Sequence, residues 1–180
     1  MQISFFLLPV MLIIFLVWWA TRKSQAENDE LSGRLEMINA ISMDEARKQA
    51  LGYLQNSSLF SVQTNVSETD GLSENLPQTV IDLAKHYSAI QLLAPPFVDL
   101  NFRKIENSKS RIDFSCIGIG MESSDVRYEL CVVKDEEFVY EIFPSGEIDE
   151  KFGRYASIYH LIVALAQEAS SPQSPSKKAL

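Results

Sequence analysis

The two cysteines of this sequence, Cys116 and Cys131, are the residues whose spacing most directly suggests chemistry. If a hairpin closes around Ser123 and Ser124, the cysteines lie directly opposite each other on neighbouring strands, with their Cβ atoms in contact range. Such a pair is able to form a disulfide. In a reducing compartment, however, the preferred interpretation is two small buried thiols that pack together. Metal binding is not expected, because two thiols without nearby histidines fall short of the four ligands of a zinc site.

Other side chains give little support to catalysis. His86 and His160 both lie off the apolar stripes of their helices, which predicts surface or boundary positions. Ser115 or Ser123 as a nucleophile needs a base that the local sequence does not supply. The stretch Ile117-Gly118-Ile119-Gly120 has two glycines of a dinucleotide fingerprint, but the third is missing and a strand follows. We therefore expect a noncatalytic domain without a cofactor.

Acidic side chains carry the remaining functional signal, because 24 Asp and Glu residues outnumber 16 Lys and Arg residues and give a formal net charge of −8. An acidic protein repels phosphates, which argues against nucleic acid as a partner, and none is expected. Alternate turns of an antiparallel meander lie at the same end of the sheet, and this brings together Glu122, Asp125, Glu147, Asp149 and Glu150. Two interpretations stay open, a solvated surface and an electrostatic docking site for a basic protein partner. Calcium binding is a weaker third, because no ordered Asp-rich loop occurs.

Three helices are predicted to position these residues. Ser42 and Glu45 form a capping-box pattern at the start of a helix over residues 43–54. A second helix begins at Pro77 and ends before Pro95-Pro96. The last helix covers residues 157–169, and Ser157 is its predicted N-cap.

Between the last two helices the hydrophobic period changes to two, which predicts strands. The four predicted strands cover residues 98–102, 112–119, 127–133 and 137–143. Short polar turns connect the last three, so an antiparallel arrangement follows. The predicted fold class is α+β, an antiparallel β-meander of about four strands packed by helices.

The N-terminal residues predict a membrane anchor before this domain. Residues 1–20 carry no charged side chain and are long enough as a helix to cross a bilayer. Trp18 and Trp19 suit the membrane interface, and Arg22 and Lys23 follow, so a single transmembrane helix in the inner (cytoplasmic) membrane with the body in the cytoplasm is expected. The alternative is a cleaved signal peptide and a periplasmic protein.

The stretch from Leu76 to Ala166 resembles the SUKH superfamily, a fold shared by yeast cell-wall regulators and bacterial toxin-immunity proteins. The segments that carry this resemblance are Leu76-Pro77, Ile117-Gly118, Tyr128-Glu129-Leu130, Phe138-Val139-Tyr140-Glu141-Ile142 and Ser157-Ile158-Tyr159-His160-Leu161-Ile162. The resemblance implies noncatalytic binding that masks a toxin or scaffolds a partner.

Four segments follow from these arguments, namely a transmembrane anchor over 1–21, a juxtamembrane linker over 22–41, a SUKH-like α+β domain over 42–169 and a disordered tail over 170–180. The predicted function is a membrane-anchored immunity-type protein that neutralises a toxin. Its expected partners are the lipid bilayer and a basic protein such as a toxin domain. The alternative function is a membrane-bound scaffold or assembly factor.

Overall fold

The computed structural model describes residues 29–30, 32–56, 58–64, 76–121, 127–148 and 153–171. The chain divides into two compact units, Met1–Met37 and Ile38–Leu180. In the first unit the described residues are helical, and Arg34 forms an ion pair of 2.6 Å with Glu30, one turn earlier. The second unit contains the sheet and therefore the site considered below.

The described residues form four helices and eight strands. In chain order they are α1 (residues 32–39), α2 (Met43–Asn56), β1 (Phe60–Thr64), α3 (Gln78–His86), β2 (Tyr87–Leu92), β3 (Phe97–Asn101), β4 (Glu106–Asn107), β5 (Ser115–Met121), β6 (Arg127–Val132), β7 (Val139–Ile142), β8 (Arg154–Tyr155) and α4 (Ile158–Ser170).

The strands form one antiparallel sheet in the order β1-β2-β3-β5-β6-β7-β8, with β4 paired to β5. Along β3, Val98 and Leu100 are buried, whereas the alternate residues Phe97, Asp99 and Asn101 are exposed. This period of two means that one face of the sheet is in the core and the other faces solvent. The helices supply the other half of the core, because α2 and α3 pack on α4 and all three contact the sheet.

Helix α4 is the central element of the core, and its first turn is fixed by a buried cap. Ser157 is fully buried, and its Oγ accepts hydrogen bonds from the backbone N–H groups of Tyr159 and His160. His160 Nε2 lies 3.0 Å from the carbonyl oxygen of Ile41, and a carbonyl can only accept. In the neutral ring, Nδ1 of His160 therefore accepts from the Ser157 hydroxyl, 2.8 Å away.

Ser157 is confirmed as the N-cap of α4, but the surface or boundary position predicted for His160 is wrong. His160 is only 2% exposed. Its burial is tolerated because both ring nitrogens have hydrogen-bond partners inside the protein. His86, by contrast, is exposed at the end of α3, as predicted.

The predicted strand number is also corrected, since the sheet has eight strands among the described residues rather than about four. The helix that begins after Pro77 ends before Pro95-Pro96, as predicted, because the backbone turns extended at Tyr87 (φ −127°, ψ 130°), and β2, which the sequence pattern did not predict, follows without a loop. Strand β2 pairs with β1 on one side and β3 on the other, and these tertiary hydrogen bonds override the local helical pattern.

The predicted transmembrane helix, and the single-pass inner-membrane location inferred from it, are wrong for the part of the chain that the structure describes. None of the helices there is long and apolar enough to cross a membrane. The longest of these helices, α2, has 14 residues and is about 21 Å long, against a hydrocarbon core of about 30 Å. The predicted anchor over 1–21, with Trp18, Trp19, Arg22 and Lys23, lies outside the described residues.

Candidate functional site

The solvent-facing side of strands β2, β3, β5 and β6 forms the candidate site, which we call the open face. The strand register aligns its side chains in two rows. In one row, Phe97 lies opposite Met121, and Met121 lies opposite Arg127. In the next row, the cross-strand neighbours are Gln91, Asp99, Ile119 and Glu129.

Large apolar side chains are exposed to solvent on the open face. Leu93 is 56% exposed, Ile119 is 51% exposed and Phe97 is 47% exposed. Together with Met121 they line a cleft of about 380 Å³, which Gln91, Asp99 and Arg127 border with polar groups. Gln91 Nε2 donates to Asp99 Oδ2 across 3.3 Å, so the polar border is itself ordered. Contiguous apolar groups with a polar border are typical of a protein-binding surface.

A second cleft of about 320 Å³ adjoins the first on the same side of the sheet, and Asp99 and Ile119 line both. Its lining is mostly polar and charged, and includes Asn101, Lys104, Glu106, Asn107, Lys109, Cys116 and Glu129. Lys104 and Glu106 form an exposed ion pair of 3.0 Å at its edge. The open face thus offers an apolar cleft and a polar cleft side by side.

The two cysteines lie at the end of the polar cleft. The predicted pairing is confirmed, because Cys116 is the direct partner of Cys131 on the neighbouring strand. Both are free thiols, Cys116 half-buried and Cys131 fully buried. The interaction between the two thiols lowers the pKa of Cys116 and, together with burial, raises the pKa of Cys131. Cys116 is therefore the more readily ionised thiol and the one that lines the cleft.

Two glycines of β5 explain the motif that resembles a nucleotide fingerprint. A Cβ on Gly118 would lie 2.6 Å from the carbonyl oxygen of Asp99, and one on Gly120 would lie 2.1 Å from the Tyr128 ring. Both glycines are therefore required by close packing within the sheet. They lie inside a strand rather than before a helix, so they have no geometry for binding a pyrophosphate.

The acidic cluster predicted at the turns stays a prediction. Glu122, Asp125, Asp149 and Glu150 lie outside the described residues. Glu147 is described and exposed, and its backbone N–H donates to Ser145 Oγ. The residue after it, Ile148, bridges to Ile142 at the end of β7.

Sequence reasoning missed the open face. The signal was present in β3, where Phe97 alternates with Val98 and places an aromatic side chain on the polar side of the strand. In β5 the same signal was obscured, because Ile117 is buried and Ile119 is exposed although they are two residues apart. The bulge at Ile117, where the register shifts between Cys116 and Gly118, reverses the faces.

Comparisons with protein-family models, with curated proteins and with solved structures find no match to this chain. The chemistry of the open face is therefore the guide to function.

Proposed function

We propose that this chain is a noncatalytic protein-binding domain whose open face docks a basic protein partner. The observation that carries the proposal is the exposure of Leu93, Phe97 and Ile119 on one side of an otherwise well-packed sheet. Exposed aromatic and aliphatic side chains that cluster in a cleft are the usual anchors of protein interfaces.

Charge supports a basic partner. The chain has a formal net charge of −8, although the charged side chains that line the two clefts balance, with Asp99, Glu106 and Glu129 against Lys104, Lys109 and Arg127. The charge of the whole chain attracts a basic protein over long range, while the apolar contacts of the open face supply most of the affinity. Arg127, at the other end of the apolar cleft, supplies a positive group that makes the orientation asymmetric.

The class of partner that we propose is a toxin domain, with this chain as the immunity-type protein that masks it. The resemblance of residues 76–166 to the SUKH superfamily is the basis for that choice, because it implies binding without catalysis. Masking a toxin needs a rigid surface, and the open face belongs to the sheet rather than to loops.

Co-expression with toxin domains encoded by neighbouring genes tests this proposal. We expect rescue of growth by one of them and a complex that co-purifies. Phe97→Ser and Ile119→Ser should each weaken the complex by about tenfold or more, since buried anchors typically contribute about 1–2 kcal/mol or above.

Ile112→Ser is the matched control, because Ile112 is 85% exposed and lines neither cleft. Circular dichroism of all three variants separates lost binding from lost folding. Absence of rescue and of any complex defeats the immunity assignment. A complex that tolerates Phe97→Ser and Ile119→Ser as well as Ile112→Ser shows that the partner binds elsewhere.

A further inference from the structure

Three potential metal ligands converge at the end of the polar cleft. The sulfur atoms of Cys116 and Cys131 and a carboxylate oxygen of Glu129 all lie within 4.8 Å of one another. Cys131 Sγ and Glu129 Oε2 are 3.9 Å apart. Tetrahedral zinc with Zn–S bonds of about 2.3 Å and Zn–O bonds of about 2.0–2.2 Å needs ligand separations of about 3.5–3.8 Å, so small side-chain rotations suffice.

A β-bulge creates this arrangement. Leu130 pairs with Gly118 and Glu129 pairs with Ile119, so an uninterrupted ladder would place Ile117 opposite Cys131. The register shifts between Cys116 and Gly118, and Cys116 becomes the partner of Cys131 instead. Bulges commonly redirect a side chain next to a functional site. Here the bulge replaces an apolar neighbour of Cys131 with a thiol.

The carboxylate of Glu129 is held in place by the loop that follows β4. Ser108 Oγ donates to Glu129 Oε2 at 2.5 Å, and the backbone N–H of Lys109 lies 3.3 Å from Oε1. Ser108 is buried, and its Oγ also accepts from the backbone N–H groups of Ser110 and Arg111. A carboxylate has about four lone-pair positions, so these bonds orient Glu129 without using all of its capacity to bind an ion. Partners of this kind fix the ligands of metal sites.

We propose that Cys116, Cys131 and Glu129 bind a Zn²⁺ ion whose fourth coordination position opens into the polar cleft. Two thiolates and a carboxylate fit zinc, whereas calcium and magnesium take oxygen ligands and cuprous ions favour sulfur alone. Cys116 and Glu129 line the cleft, and Cys131 is closed off behind them. The ion therefore enters from the cleft, where Lys104 and Lys109 offset the negative charge of the ligands. This site does not depend on the proposed partner binding.

Cobalt and zinc titrations of the full-length chain test the proposal. The protein is stripped with a chelator, and a thiol assay verifies that both cysteines are reduced. We expect one Co²⁺ per chain, with thiolate-to-cobalt charge-transfer bands and the intense visible bands of a tetrahedral site. Zn²⁺ should displace the cobalt and remove these bands. A weak octahedral spectrum, or no uptake by the reduced protein, overturns the proposal.

Variants then assign the ligands. Cys116→Ala should weaken zinc binding by more than about 100-fold, because a loss of about 10–100-fold is typical of residues that only hydrogen-bond to a metal ligand. Ser108→Ala, which releases Glu129, should weaken it by about 10–100-fold. Ser145→Ala is the control, since Ser145 lies in the turn after β7 and its hydroxyl bonds to Glu147 within that turn. Zinc affinity that is equal in all three variants contradicts the assignment.

Replacement of the buried Cys131 can unfold the protein, so a measurement on the unmodified chain is also needed. X-ray absorption of the zinc-loaded protein should show two sulfur neighbours at about 2.3 Å and lighter neighbours at about 2.0–2.2 Å. A first shell without sulfur means that zinc binds elsewhere, and the proposal fails.

Discussion

The ring of Tyr128 lies over Gly120, its direct partner on the neighbouring strand. No side chain fits between them, because a Cβ on Gly120 would come within 2.1–2.4 Å of three atoms of the phenol group. Tyr128 is 6% exposed and its ring also packs against Phe143, with the centroids 6.2 Å apart. The ring therefore has little freedom to move away.

Gly120→Ala should lower the free energy of unfolding by about 1–3 kcal/mol, the usual cost of overpacking a core. Gly52→Ala is the matched control, because a Cβ added to Gly52 in α2 would have nothing within 4 Å. That change should stabilise the protein by about 0.5–1 kcal/mol, since alanine is the better helix former. Urea denaturation of both variants measures the difference. Equal stabilities of the two variants would contradict the packing described for Tyr128.

Ser157→Ala should be the more harmful of two serine cap substitutions. Ser157 is fully buried, caps two backbone N–H groups and donates to His160, so its loss should cost about 1–2 kcal/mol from the cap and leave a buried imidazole nitrogen without its partner. Ser42→Ala removes one exposed bond of 3.4 Å, from the backbone N–H of Glu45, and should cost about 0.5 kcal/mol. Thermal unfolding ranks the two. A Ser42 effect as large as that of Ser157 argues against the buried cap.

Tyr155 predicts how stability responds to high pH. Burial, followed by the nearby charge of Glu141, holds the pKa of Tyr155 well above its ordinary value, and its hydroxyl donates to Glu141 Oε1 at 2.8 Å. At pH values below about 10, which is the pKa of tyrosine in the unfolded chain, the stabilisation that protonated Tyr155 gives to the folded state is fully present. As the pH rises above about 10, the unfolded state loses the proton first, so stability should fall by about 1.4 kcal/mol per pH unit.

Tyr155→Phe should lower stability at neutral pH by about 1.5–3 kcal/mol, because a hydrogen bond to a carboxylate is lost. Above pH of about 10 its stability should decline less steeply than that of the unmodified protein. The comparison is Tyr140→Phe, where the hydroxyl of a half-buried ring donates to Glu136 at 2.7 Å and where burial, followed by that hydrogen bond, also raises the pKa. Denaturation at a series of pH values provides both slopes. An unchanged slope in Tyr155→Phe would show that Tyr155 does not control the alkaline transition.

Binding of a basic partner should depend on salt. Exposed acidic groups such as Asp99 accelerate association through long-range attraction, which ions screen over about 8 Å at physiological strength. We therefore expect the association rate to fall with added salt while the dissociation rate changes little. Asp99→Asn should lower the association rate, and Phe97→Ser should instead raise the dissociation rate. Stopped-flow mixing with the partner separates the two. An association rate independent of salt would leave the charge argument without support.

Local signals in the sequence predicted several elements because nearby residues determine them. The Ser157 cap follows from a hydroxyl placed before an apolar helical stripe. The opposition of Cys116 and Cys131 was predicted from a turn around Ser123 and Ser124, but the strands beside that turn are one residue out of the predicted register, and the bulge restores the pair. Strands β1 and β2 were missed because pairing between distant residues creates them. Phe60 pairs with Leu92, for example, far along the chain, and no short window of sequence contains that information.

The candidate site was harder to predict than the fold. The alternating pattern predicts that Ile119 is buried like Ile117, but the bulge at Ile117 places Ile119 on the exposed face of the sheet. The position of Glu129 depends on Ser108, which lies 21 positions earlier in the chain and is brought beside Glu129 by the pairing of β4 with β5. Neither fact follows from residue type or spacing.

The bulge in β5 also divides the hairpin into two registers that differ by one residue. Cys116 follows one register and Gly118 follows the other, and Ile117 is the extra residue between them. Deletion of Ile117 would merge the two registers into one regular ladder and would leave Cys116 opposite Cys131, at the cost of a buried side chain. The two cysteines would therefore stay paired whether or not the extra bulge residue lies between them in the sequence. Among related chains, an interval shorter by one would mark the loss of the bulge rather than the loss of the thiol pair.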